Sequence, residues 1–207
     1  NYYKTKTFQV LIIYLHIFLK HYFIYMPTNS TEINLDMKAT EFELLSTEGK
    51  KITYASASKK NGLAIAFICN HCPYVKDIIN RLVSDFSKLS KLEVGAIAIM
   101  SNDVKKYPED SFQNMIKFAE LHNFKFPYLF DEDQMVATSY HAVCTPDFFC
   151  FNKEKKLFYR GRLDNIGYKK NTLNRVPELL NAFQRMIESN EQTKVQHNSM
   201  GCSIKWK

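Results

Sequence analysis

The chain has 207 residues, 45% apolar and 24% charged, with a formal net charge of +7 and five cysteines. That length fits one domain with extensions and buries a full core without disulfide staples, and an odd cysteine count departs from a secreted disulfide framework. After residue 27 acids and bases are mixed and no arginine-rich stripe appears, so the charge does not point to a nucleic-acid partner.

Residues 1–25 differ in character from the rest of the chain. "FQVLIIYLHIFL" is an apolar run of signal-peptide length, yet no small-residue cleavage site comes after it. Lys20, His16 and His21 interrupt the longer stretch from Phe8 to Tyr25, which weakens a membrane span. The favoured reading is upstream translation ahead of a natural start at Met26, placing the protein in the cytoplasm. An anchor or uncleaved signal would instead make it membrane-attached or periplasmic. The expected organisation is an extension over 1–34, one domain over 35–190 and a tail over 191–207.

In chain order, Gly49 marks a turn before a short strand at "ITYA", and "GLAIAFI" (62–68) is a continuous apolar run of buried-strand length. From Pro73 the apolar residues Val75, Ile78, Ile79, Leu82, Val83 and Phe86 fall at helical spacing, with proline suited to the first turn. "VGAIAIM" (94–100) reads as a second buried strand. A helix is expected from Pro108, with Glu109 and Asp110 at the positive end of its dipole and Phe112, Met115, Ile116 and Ala119 on one face. "PYLF", "TPDFFCF" and "KLFYRG" read as strands, the last two forming a hairpin around "NKEKK". A closing helix spans roughly 173–188, with Val176, Leu179, Leu180, Phe183 and Ile187 inward. Strands joined by crossover helices, then a hairpin, predict an α/β fold: a thioredoxin-like central mixed sheet with helices on both faces.

The chemistry concentrates in "FICNHCPYVK". Cys69 follows a strand and Cys72 precedes the helix opened by Pro73, so the pair lies where unpaired N–H groups and the helix dipole favour a thiolate. His71 between them adds positive charge, favouring the reduced form. Strand-end and helix-start positions are expected to be partly exposed, which argues against two inert buried thiols. Zinc needs four ligands and one Cys-x-x-Cys is half a site; Cys144 and Cys150 are too widely spaced for the usual second half. Cys150, within "FFCF", is expected to be packed and inert.

Downstream, Thr145–Pro146 precedes a strand and resembles the thioredoxin-fold loop whose proline is cis. Cys144 immediately before it is expected near the pair. Cys202, in "SMGCSIKWK", sits on a tail that Ile204 and Trp206 would dock onto the domain.

Taken together, "FICNHCPYVK", "SNDVKKYPEDSF", "FPYLFDEDQMVATSYHAVCTPDFF", "YRGRLDN" and "GCSIKWK" resemble the peroxiredoxin-like thioredoxin family proteins of the alkyl hydroperoxide reductase and thiol-specific antioxidant group, over residues 35–207. The resemblance implies a thioredoxin fold with thiol–disulfide or peroxide chemistry. One departure matters for the chemistry. Peroxiredoxins carry a hydroxyl three residues before the peroxidatic cysteine, where this chain has Ala66, and Gly62 and Leu63 replace any proline. A dithiol–disulfide oxidoreductase fits the residues better than a thiol peroxidase. In this expectation Cys69 attacks a substrate disulfide, Cys72 resolves the mixed disulfide, His71 tunes the potential and Pro146 shapes the substrate groove. Cys144 and Cys202 are candidate auxiliary thiols. The expected partners are a disulfide-containing protein or a peroxide, and a thiol electron donor, with no cofactor or metal; a redox-inactive or zinc-holding module is the rival from another class.

Overall fold

The computed structural model describes residues 27–32, 34–168 and 173–207. Residues 1–25, and with them every reading of the leader, lie outside the described residues. Among the described residues no helix is long and apolar enough to cross a membrane.

The strands are β1 (Pro27–Asn29), β2 (Glu43–Ser46), β3 (Lys51–Thr53), β4 (Leu63–Phe67), β5 (Gly95–Met100), β6 (Tyr128–Phe130), β7 (Cys144–Thr145), β8 (Asp147–Phe151), β9 (Leu157–Gly161) and β10 (Met200–Ser203). The helices are α1 (Tyr54–Ala57), α2 (Pro73–Lys91), α3 (Phe112–Leu121), α4 (Met135–Ser139) and α5 (Glu178–Ser189). Seven strands form the central sheet in the order β3-β2-β6-β5-β4-β8-β9. Its middle, β6-β5-β4, is parallel, as the crossover helices require, and the β8–β9 hairpin adds antiparallel strands on one side while β2–β3 does so on the other. The predicted mixed sheet is therefore present.

Alternation along β4 divides the core. Ala64 and Ala66 face one side, whose cluster includes Val75, Ile78, Ile79, Leu82 and Phe86 of α2, Met115 and Phe118 of α3, and Leu179 and Phe183 of α5. Leu63, Ile65 and Phe67 face the other, with Tyr54 of α1 and Val136 and Ala137 of α4. Helices thus lie on both faces. Each fully buried aliphatic or aromatic side chain of α2 contributes about 1.5–3 kcal/mol of burial.

Three boundaries differ from expectation. The strand at "ITYA" stops at Thr53, because Thr53 and Ser56 exchange side-chain and backbone hydrogen bonds and cap α1. Pro108–Asp110 is a separate 3-10 turn, and α3 starts only at Phe112. The closing helix begins at Glu178: Leu173 and Val176 are exposed, and Arg175 instead reaches across to the buried carboxylates of Asp85 and Asp164. Ile187 is also exposed, at 39%.

A second sheet positions the site. Antiparallel β1-β10-β7 sets the C-terminal strand between the first described strand and the residues just before Pro146. The tail is laid onto the domain, with Ile204 buried (3%) while Trp206 stays 42% exposed.

Candidate active site

Cys69 leaves β4 beyond Ile68, and Cys72 is the N-cap residue of α2, with Pro73 at the first helical position. The Thr145–Pro146 peptide is cis, as the sequence predicts. Thr145 touches both sulfurs: its hydroxyl lies 3.4 Å from Cys69 Sγ, and its carbonyl accepts the Cys72 thiol at 3.1 Å.

The partial exposure expected of the pair is not found. Cys69 is 1% and Cys72 0% exposed, because the cis-proline loop and β10 cover the strand-to-helix turn. Burial pushes the Cys69 thiol well above the ordinary cysteine range, and its hydrogen bond with Cys72 and the Asp110 charge push the same way. At Cys72 burial again opposes the thiolate. It is outweighed by hydrogen bonds from the Cys202 and Cys69 thiols and from the Cys202 and Val75 backbone N–H groups, so this thiol falls below the ordinary range. These hydrogen bonds favour negative charge on Cys72, at the helix N-terminus.

Asp110 is the residue that sequence reasoning misplaces. The residue pattern puts it in the first turn of a helix; the 3-10 turn directs it inward, fully buried. Its Oδ1 accepts the backbone N–H groups of Asn70 (2.8 Å) and His71 (3.2 Å), and its Oδ2 accepts Asn102 Nδ2 (2.7 Å) and bonds His71 Nδ1 (2.7 Å). Asn70 is held further by the Tyr128 hydroxyl (3.0 Å) and by the Glu109 carbonyl (3.1 Å). One carboxylate therefore fixes both residues between the cysteines. His71 stacks on Tyr107, with ring centroids 5.6 Å apart, so any charge it carries is held against Asp110. The only advance signal is an acidic residue in a turn that also holds a proline. Cys69 Sγ, a His71 nitrogen and an Asp110 oxygen lie within 4.8 Å of one another. Each Asp110 oxygen, however, already takes part in two hydrogen bonds, so its lone pairs face donors and not a cation.

Cys202 lies opposite Thr145 in the β10–β7 ladder, and both its thiol and its backbone amide bond to Cys72. Cys144 is near enough for its charge to act on Cys202, but its thiol points to the Pro146 carbonyl, 3.8 Å away. Cys150 is buried in β8, and burial alone pushes its thiol well up. All five cysteines are free thiols. Pro146 borders a cleft of ≈ 270 Å³ lined also by Tyr74, Ile78, Phe148, Leu163 and Met200.

The approach of β10 depends on Gly201. A Cβ there would lie 1.9 Å from the Thr145 carbonyl oxygen and 2.9 Å from Pro146 Cδ. Gly201→Ala should force β10 off the loop and cost about 1–3 kcal/mol. Urea unfolding monitored by the single tryptophan, Trp206 in the tail, measures this; an unchanged midpoint would refute the close packing.

The sequence model of the AhpC/TSA family matches residues 35–160. The chain belongs to the AhpC/TSA family. Its structure superposes on an uncharacterized conserved protein from Geobacillus kaustophilus, 38% identical, with a TM-score of 0.83, covering 88% of this chain and 97% of that one. A hypothetical protein from Sinorhizobium meliloti is 32% identical, with a TM-score of 0.82 and coverage of 87% and 98%. The thioredoxin domain of a thiol-disulfide oxidoreductase from Bacteroides vulgatus shares the fold at 12% identity, with a TM-score of 0.58 and coverage of 76% and 100%. No curated protein matches the chain. The AhpC/TSA protein thus has the thioredoxin-like architecture expected from its sequence.

Proposed function

We propose that this AhpC/TSA protein is a thiol–disulfide oxidoreductase cycling Cys69 and Cys72 between dithiol and disulfide. The observation that carries the proposal is the contact of both sulfurs with Thr145 at the N-terminus of α2, with the Cys69 thiol hydrogen-bonded to Cys72. The Cys72 thiolate attacks one sulfur of a substrate disulfide, and the leaving thiolate takes a proton. Cys69 then attacks Cys72, releasing the second substrate thiol and closing the Cys69–Cys72 bond. This order reverses the one expected from sequence, and it accords with the hydrogen bonds that converge on Cys72 and the Asp110 charge beside Cys69. His71, held by Asp110, tunes the pair, and Pro146 shapes the groove in which the substrate lies. A thiol donor restores the dithiol. A cytoplasmic setting, where such a donor keeps thiols reduced, belongs to this reading.

The test is a disulfide-reduction assay driven by a dithiol donor, combined with trapping. With Cys202, the other thiol against Cys72, also replaced, Cys69→Ser/Cys202→Ser should accumulate a mixed disulfide through Cys72. Trapping through Cys69 in Cys72→Ser instead would restore the original order, and absence of trapping in both variants would refute the proposal. A pH titration of ultraviolet thiolate absorbance adds a second check. The wild-type minus Cys72→Ser difference should already be present at neutral pH, and in urea it should shift to about 8.5, the value of a free cysteine. A native midpoint at or above the unfolded one would contradict the assignment.

A second reading, peroxide reduction, draws on family membership and on two features of the site. Both sulfurs are buried, so a small oxidant needs less opening than a protein disulfide, and the Thr145 hydroxyl 3.4 Å from Cys69 stands where position 66 offers none. Here the thiolate becomes a sulfenic acid, the peroxide leaves as alcohol or water, and the second cysteine condenses with loss of water. Stopped-flow mixing with hydrogen peroxide separates the readings: fast peroxide consumption with slow disulfide reduction supports the second.

A further inference from the structure

We propose that Cys202 is a third redox thiol of this site, exchanging with the Cys69–Cys72 disulfide to form a Cys72–Cys202 bridge that clamps the C-terminal strand over the cis-proline loop. The inference rests on the proposed reading that Cys69 and Cys72 form a disulfide. It deepens that reading by adding a second oxidised form.

Position in the ladder singles out this thiol. Cys202 pairs directly with Thr145, and directly opposed residues of an antiparallel pair project to the same side. Thr145 in turn places its hydroxyl on Cys69 and its carbonyl on Cys72. Cys144 pairs with Ser203, one step along, and so projects to the other side, which accounts for its thiol meeting the Pro146 carbonyl. Of the two auxiliary candidates, only Cys202 is aimed at the pair. Cys202 is fully buried and its neighbour Gly201 admits no side chain against the Thr145 carbonyl, so β10 is held at the separation that lets the thiol hydrogen-bond Cys72. The next residues secure the strand: the backbone N–H of Lys205 donates to Asn102 Oδ1 (2.8 Å), and its carbonyl accepts from the Asp103 N–H (2.7 Å) and Gln134 Nε2 (2.9 Å). Asn102 is the side chain that also holds Asp110, so the tail and the turn containing His71 share one hydrogen-bond network.

The step is an exchange within the chain. Cys202 loses its proton and its sulfur attacks Cys72. The Cys72–Cys202 bond forms as the Cys69–Cys72 bond breaks, its electron pair leaves on Cys69, and Cys69 takes up the proton. No net oxidation occurs. The product has Cys69 as a free thiol beside His71 and Asp110, and β10 tied covalently to the start of α2.

The full chain, reduced and then oxidised with limiting diamide, is quenched in acid and mapped as non-reduced peptides. Wild type should yield both Cys69–Cys72 and Cys72–Cys202 peptides. Cys69→Ser should still lose a pair of thiols to an internal Cys72–Cys202 bridge, Cys202→Ser should form only Cys69–Cys72, and the double variant should form no internal disulfide. If wild type yields Cys69–Cys72 alone and Cys69→Ser forms only intermolecular dimers, the third-thiol inference is overturned while the two-thiol reading survives. If wild type forms no internal disulfide, both fall. Wild-type mapping needs no substitution, so the outcome stands even where a variant folds poorly.

Discussion

Cys72→Ser should abolish turnover, lowering disulfide reduction by on the order of 10⁴-fold or more, as loss of a nucleophile does in other covalent catalysts. Both the Cys69 and the Cys202 thiol hydrogen-bond to Cys72, so its removal takes away the sulfur that the two share and that sits at the N-terminus of α2. Serine is slightly smaller but keeps a hydroxyl that can donate to the Thr145 carbonyl, so the fold should persist, and circular dichroism before and after reduction checks that. Cys150→Ser, away from the pair in β8, should leave turnover unchanged once any loss of stability is corrected for. If Cys72→Ser retained more than about a tenth of the activity, the site would have to be sought elsewhere.

Asp110→Ala should produce the largest loss of stability, about 3–5 kcal/mol, because the cost is that of several buried donors left without an acceptor. The carboxylate is fully buried and serves the Asn70 and His71 backbone N–H groups, Asn102 Nδ2 and the His71 ring. Alanine leaves all of these donors without their acceptor. Asp110→Asn should recover only part of the loss, since its amide nitrogen would face a donor wherever it points. For a chain of this size the alanine variant should melt about 6–20 °C lower, by calorimetry or circular dichroism. Removing the negative charge beside Cys69 should also lower that thiol's pKa, so its alkylation should speed up in whatever fraction remains folded. A melting temperature within a few degrees of wild type would mean that water or another side chain replaces the carboxylate, and the turn would not depend on it.

Much of the architecture is legible in the residues because it rests on local periodicity. "GLAIAFI" and "GAIAIM" are continuous apolar runs that only doubly covered strands tolerate, and Val75, Ile78, Ile79, Leu82 and Phe86 repeat at the spacing of one helix face. Pro73 announces the start of α2, and with it the position of Cys72. The start of α5 is not legible. Leu173 and Val176 continue its apolar pattern, but Arg175 gains more by bridging Asp85 and Asp164, two carboxylates from distant parts of the chain. Local pattern cannot register a partner 90 residues away.

The same division runs through the site. By itself the sequence determined the Cys-x-x-Cys pair, its place between a buried strand and a helix, and the Thr-Pro loop, since each depends on neighbours within a few residues. Only the tertiary structure decided that both sulfurs are buried, which carboxylate lies beside them, and which further thiol is aimed at them. Those properties depend on Asp110 turning inward from a 3-10 turn and on β10 pairing Cys202 with Thr145. The physical reason is that desolvation, charge and hydrogen bonding act through space over a few ångströms, whatever the separation along the chain.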